Sequence, residues 1–211
     1  MYRAGHLYTQ APIEVYDHDW PSLAVGKAIP HGHYDLSENT GYVQIGISRD
    51  THEFAMDSLR YWWQHHGKPH YGTAGSLLLL CDGGGSNSAR SYLFKAALQD
   101  LAIELGIDIR VAHYPPYTSK HNPIEHRLFP HLTRATQGVI FDAVNGVKDL
   151  MATATTTTGL TVFSTVIDTV YETGKKATDE LKASIRIVFD EILPKWNYTA
   201  LANPPPIDSI I

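Results

Sequence analysis

The sequence predicts an α/β fold with at least partly parallel strand pairing, and three successive stretches carry that prediction. SLLLLCD, Ser76 to Asp82, is a continuous apolar run bounded by glycines, the pattern of a strand buried on both faces. Leu93, Ala97, Leu101 and Leu105 then recur at helical spacing as far as a stop at Gly106. IDIRVAHY, Ile107 to Tyr114, alternates again as the next strand.

The remaining elements follow in chain order. Pro12, Pro21 and Pro30, with five glycines, exclude a long helix from the first fifty residues. IEVYD, Ile13 to Asp17, reads as a short extended piece. YVQIGIS, Tyr42 to Ser48, reads as a strand after a turn at Glu38 to Gly41. Between His52 and His66, Ala55, Leu59 and Trp62 fall at i, i+4 and i+7, which predicts a helix stopped by Gly67. Ala89 to Leu105 is the helix after the glycines, with Ser86 or Asn87 as its expected cap. Beyond Gly138, a threonine-rich link at Thr153 to Thr158 leads into two expected amphipathic helices. Ala177, Leu181, Ile185, Val188 and Ile192 mark the second. This reading divides the chain into a core over 1–138, a helical region over 139–200 and an extended or disordered proline-bearing tail over 201–211.

Composition narrows the function classes. With 211 residues, 43% hydrophobic and 18% charged, the chain can bury one sizeable core. No apolar run approaches the roughly 20 residues of a membrane helix, and the N-terminus lacks a basic leader, so a cytoplasmic protein is expected. A net charge of −5 is unusual for a protein that grips DNA unaided. The single cysteine, Cys81, excludes an internal disulfide, and its apolar surroundings predict a buried small side chain. None of the 12 histidines falls at a spacing that specifies a zinc cage.

Chemistry concentrates in two stretches. LLLLCDGGGSNSAR, Leu77 to Arg90, suggests a phosphate cradle, but it lacks the third glycine of a dinucleotide fingerprint and the Lys of a Walker loop. As a plain strand-to-helix turn it leaves Asp82 unexplained, because a carboxylate ending an apolar strand needs water, a partner or a metal. In HYPPYTSKHNPIEHRLF, His113 to Phe129, the residues Asn122, Pro123 and Glu125 occupy the N-cap, first and third positions of a helix start. The positive end of that helix favours an ionised Glu125. Parallel neighbouring strands would carry Asp82 and Glu125 to one carboxyl edge of the sheet, where open α/β sheets place their ligands. Two such hard oxygen donors suit Mg²⁺ or Mn²⁺.

CDGGGSNSAR, the helix containing LQDLAIELGI and the segment HYPPYTSKHNPIEHRLF closely resemble the DDE transposases of the ISAzo-type, or Rhodopirellula-type, insertion-sequence group. The likeness runs from about Tyr2 to Tyr198 through GKAIPHGHYDLSENTGYVQIGISRDTHEFAMDSLRYWW and TTTTGLTVFSTVIDTVYETG. The resemblance implies an RNase H-like core, a two-metal Mg²⁺ or Mn²⁺ site, and DNA cleavage and strand transfer at the ends of a mobile element; the periodicity above adds C-terminal helices to that core. It also implies a nucleoid-associated protein with DNA as partner, acting as a homo-oligomer because two ends are joined. Asp82 matches the second catalytic and metal-binding acid and Glu125 the third. Ser119, Lys120 and Asn122 fall in the motif beside Glu125, where they would order the loop or touch DNA. The first acid and its strand lie in the family upstream of the part that Tyr2 to Tyr8 resembles. The expectation is therefore an N-terminally truncated, inactive chain, or a non-catalytic remnant acting as a binding or dimerising partner. Asp17, Asp19 and Asp35 are the in-chain acids that could replace the missing one.

Overall fold

The computed structural model describes residues 10–11 and 26–206. In chain order the elements are β1 (Ile29–Asp35), β2 (Thr40–Gly46), α1 (His52–Trp62), α2 (Lys68–Tyr71), β3 (Ser76–Asp82), α3 (Tyr92–Leu105), β4 (Asp108–Tyr114), α4 (Ile124–Arg127), α5 (Phe129–Ala135), α6 (Val144–Ala152), β5 (Thr161–Ile167), α7 (Asp179–Ser184), β6 (Val188–Phe189) and β7 (Asn197–Ala200). They form two compact units. One comprises Met1–Ser48 and Pro123–Val170, the other Arg49–Asn122 and Tyr171–Ile211. IEVYD, with Asp17 and Asp19, lies outside the described residues.

The first unit is a three-stranded sheet covered by helices. β1 pairs antiparallel with β2, and β2 pairs parallel with β5. Every residue of β2 is buried, which suits the central strand of a sheet covered on both faces. Val43 and Ile45 of β2 pack with Leu128, Leu132, Val147, Met151, Leu160 and Val162. Each such side chain gains roughly 1.5–3 kcal/mol on full burial. A Cβ on Gly41 would overlap the side chain of Leu128, itself fully buried, so the strand's glycine is what admits that leucine. Asp35 Oδ1 accepts from the backbone N–H groups of Ser37 (2.9 Å) and Glu38 (3.2 Å), which ties this acid to the β1–β2 turn.

The second unit holds a four-stranded sheet in the order β3-β4-β7-β6. β3 runs parallel to β4, as the sequence predicts, with Asp82 opposite Tyr114 in register. β7 is antiparallel to both β4 and β6. Phe54, Phe94, Leu98, Leu101, Ile109, Val111 and Tyr198 are almost fully buried in this unit. Thr51 caps α1 by accepting from Phe54 N at 3.2 Å, and Ser91 caps α3 by accepting from Phe94 N at 3.2 Å. Gly106 ends α3 in the left-handed conformation, φ 70°.

Five expectations change. β3 is not buried on both faces: among the described residues it pairs only with β4, and Leu78 is 57% exposed. The leucine run matched a central strand, whereas among the described residues the strand is an edge. Gly67 does not stop α1. The helix passes through a π turn at Trp63–Gly67 into α2, and a Cβ on Gly67 would come within 2.7 Å of the Trp63 ring, so the glycine serves close packing instead. The helix expected from Ala89 begins at Tyr92. Its cap is Ser91, because Ser86 and Asn87 are taken up in a short 3-10 turn, Gly85–Asn87. Asn122 is extended and Pro123 helical, as a helix start requires, but the Asn122 side chain reaches the Asp82 carboxylate.

The fifth change is the largest. The two amphipathic helices expected after the threonine link are replaced by strands β5, β6 and β7 and the six-residue α7. TVFSTVI is dense in β-branched residues and pairs with β2. Ile185 turns extended after α7, Val188 joins β6, and Ile192 is 73% exposed, so the i, i+4 pattern marks no buried helical face.

Candidate functional site

Asp82 is the last residue of β3, half-buried, and its surroundings within the second unit are built from three directions. Behind it lies His113 of β4, opposite Cys81 in the register. His113 Nδ1 donates to the Asp82 carbonyl at 3.2 Å, and its Nε2 accepts from the Tyr198 hydroxyl at 2.7 Å. Those two partners assign the imidazole tautomer. Burial holds His113 below its ordinary pKa and raises Tyr198 well above its own. Cys81 Sγ lies 3.4 Å from His113 Nδ1, and burial, then the charge of Asp82, pushes the thiol up to about 12. Cys81 is therefore a protonated, unreactive side chain at neutral pH, as its apolar setting predicts.

Ahead of Asp82, the glycines shape the exit. A Cβ on Gly83 would lie 3.1 Å from Trp196 Cζ3, so the chain passes closely under that indole. Gly85 has φ +59°, the left-handed backbone that glycine adopts freely. The rest of the loop is pinned by His52, the first residue of α1. Its Nδ1 contacts Ser86 O at 2.6 Å, and its Nε2 lies 2.9 Å from Ser91 Oγ. Nδ1–H donating to the carbonyl leaves Nε2 to accept from the Ser91 hydroxyl, which at the same time caps α3. The glycine turn thus does not open directly into a helix, as a dinucleotide cradle does. Nine residues separate Asp82 from Tyr92.

On the remaining side, Asn122 Nδ2 donates to Asp82 Oδ1 at 3.4 Å, a long bond. Asn122 is 6% exposed and ends the loop that leaves β4. Ser119 and Lys120 lie in an exposed 3-10 turn just before it, Ser119–His121, and Ser119 O accepts from Asn122 N at 2.8 Å. Of the sequence-derived site residues, Asp82 and Asn122 are in direct contact, with Ser119 bonded to Asn122 through the backbone. Glu125 lies on α4 in the other unit, half-buried, in the first turn of its short helix.

The Asp82 carboxylate, a hard oxygen donor at the carboxyl end of a parallel strand and oriented by the Asn122 NH2 group, suits a hard divalent cation. Among the described residues no three His, Cys, Asp or Glu side chains gather into a metal-binding group. No helix among them is long and apolar enough to cross a membrane. Sequence reading missed His52, His113, Trp196 and Tyr198. The partners of His52, His113 and Tyr198 lie 31 to 85 residues away in the chain, and Gly83 lies further still from Trp196, so no local spacing announces them.

A family model described as Rhodopirellula transposase DDE domain matches residues 1–202. No curated protein and no solved structure matches the chain.

Proposed function

Because the chain belongs to the Rhodopirellula transposase DDE domain family, a family of metal-dependent DNA-processing enzymes, we propose that it is a transposase catalytic domain with Asp82 and Glu125 as metal-binding acids. Mg²⁺ and Mn²⁺ both suit these oxygen donors. The observation that carries the reading is the position of Asp82, at the carboxyl end of a strand parallel to β4 and bonded to the Asn122 carboxamide.

When bound, a pair of such ions activates a water or a 3′-hydroxyl and stabilises the leaving oxygen of a phosphodiester. The chain's own residues do the positioning. Asn122 donates to Oδ1 and so orients the carboxylate. His113 holds the Asp82 carbonyl from behind, and His52 fixes the loop that leaves it. Ser119 and Lys120 sit exposed beside Asn122, where a hydroxyl and an ammonium would meet the DNA backbone. The test is Mg²⁺-dependent cleavage of DNA carrying the ends of the mobile element. Activity abolished by Asp82→Ala and by Glu125→Ala supports the reading, and cleavage indifferent to both sinks it.

A second reading is a non-catalytic partner that keeps the fold and binds or dimerises with an active transposase. The net charge of −5 and the absence of a three-ligand group among the described residues favour it. It predicts no cleavage with or without metal, together with co-purification with the active enzyme.

A further inference from the structure

The turn that follows β4 carries a feature the metal site does not use. Tyr114, the last residue of β4, pairs in register with Asp82, so residues 115–121 leave from the same end of the sheet as that carboxylate. Thr118 N donates to Pro115 O at 3.1 Å, closing a four-residue turn, and the Thr118 hydroxyl donates to the same oxygen at 2.7 Å. Pro116 fills the second position and Tyr117 the third, with φ +67°. That is the geometry of a type II turn, whose third position belongs to glycine or asparagine. A bulky aromatic there is backbone strain, and strain of this kind inside a chain is ordinarily repaid by packing. Here it is not. Tyr117 is 98% exposed, so its ring packs on nothing among the described residues.

The ring's neighbours give the chemistry of what it would meet. Lys120 and His121 follow three and four residues later in the exposed turn Ser119–His121, so a cationic group lies close in the chain to the flat aromatic one. A stacking face next to an ammonium suits a nucleobase joined to its phosphate. In intact duplex the base faces are hidden in the stack, so the ring can reach only an unpaired or extruded base. We infer that Tyr117 is a stacking platform for an unpaired base of a DNA end, with Lys120 on the adjacent phosphate. The inference rests on Asp82 marking a DNA-processing site. It adds to that reading the form of DNA held there: an end or overhang, not continuous duplex.

The experiment uses the full chain with two hairpin oligonucleotides, one blunt and one bearing a single-stranded 3′ overhang that contains 2-aminopurine. Affinity and 2-aminopurine emission are measured in Mg²⁺ for the wild type, Tyr117→Phe and Tyr117→Gly. Glycine is the residue the turn geometry prefers, so Tyr117→Gly should melt at the same temperature or higher and separates binding from folding. The expected result is overhang binding about tenfold weaker in Tyr117→Gly, from the loss of one stacked base, with the emission change lost. Tyr117→Phe, which keeps the ring, should match the wild type within about twofold. Overhang affinity and emission unchanged in Tyr117→Gly would overturn the inference and leave the DNA reading standing. Equal wild-type affinity for blunt and overhang DNA would do the same. A wild type that binds neither oligonucleotide would overturn both, and would point to a protein surface as what Tyr117 meets.

Discussion

Asp82 takes its importance from its neighbours, because a carboxylate at a strand end costs little only when water, a partner or an ion receives it. Asn122 supplies one such partner, and His52 holds the loop that would otherwise let the strand end wander. His52→Ala removes the bridge between Ser86 and Ser91, and the expected loss is about 1–2 kcal/mol in a urea unfolding curve. At the same scale, burial and the neighbouring His31 hold His33 well below its ordinary pKa of 6.5. The unfolded chain therefore binds a proton at a pH where the folded chain does not. Stability is complete above about pH 6.5 and is lost as pH falls from there toward the lowered folded value. Thermal unfolding across pH 7.5 to 5 should show that decline, and a flatter profile in His33→Gln would trace it to this group. The places of Asp82 at a strand end and of Glu125 in a first helical turn were legible in the sequence because each ends or opens an element beside a turn signal. His113 and Tyr198 were not, since their hydrogen bond joins residues 85 apart.

Among the elements, glycines decide more than the helix propensities do. Gly41→Ala sets a methyl against fully buried Leu128 in β2, and overpacking of that kind should cost about 1–3 kcal/mol by denaturant titration. β3 is the other informative element. Its four leucines read as a buried strand, but burial depends on neighbours on both sides, which periodicity within one strand does not specify. As an edge among the described residues, with Leu78 exposed, it offers a template for intermolecular pairing. Leu78→Lys should therefore reduce concentration-dependent aggregation in light scattering while changing the melting midpoint little. The strands after residue 160 escaped the sequence reading for a related reason. Apolar residues at i, i+4 spacing fit a helix, and the β-branched density that favours strands competes with that signal without overruling it.

Over the whole molecule, the chain leaves the first unit after Ser48, returns at Pro123 and leaves again after Val170. Each unit is thus completed by segments distant in sequence, so a single linear division into core and appendage misses the arrangement. The α/β class and the parallel β3–β4 pair were readable from strand, helix, strand order, and the family match spans residues 1–202. The fusion of distant segments was not, because it is set by strand pairing between positions such as Thr40 and Thr161. The measurement closest to the central claim is Mn²⁺ binding to the full chain, followed by electron paramagnetic resonance, in the wild type and in Asp82→Asn. The substitution keeps the side chain's shape and removes its charge. The account predicts that the wild type binds the ion and that Asp82→Asn binds it at least about tenfold more weakly, the range seen when metal-site partners are altered. Equal binding by the two proteins, or none by the wild type, would contradict it.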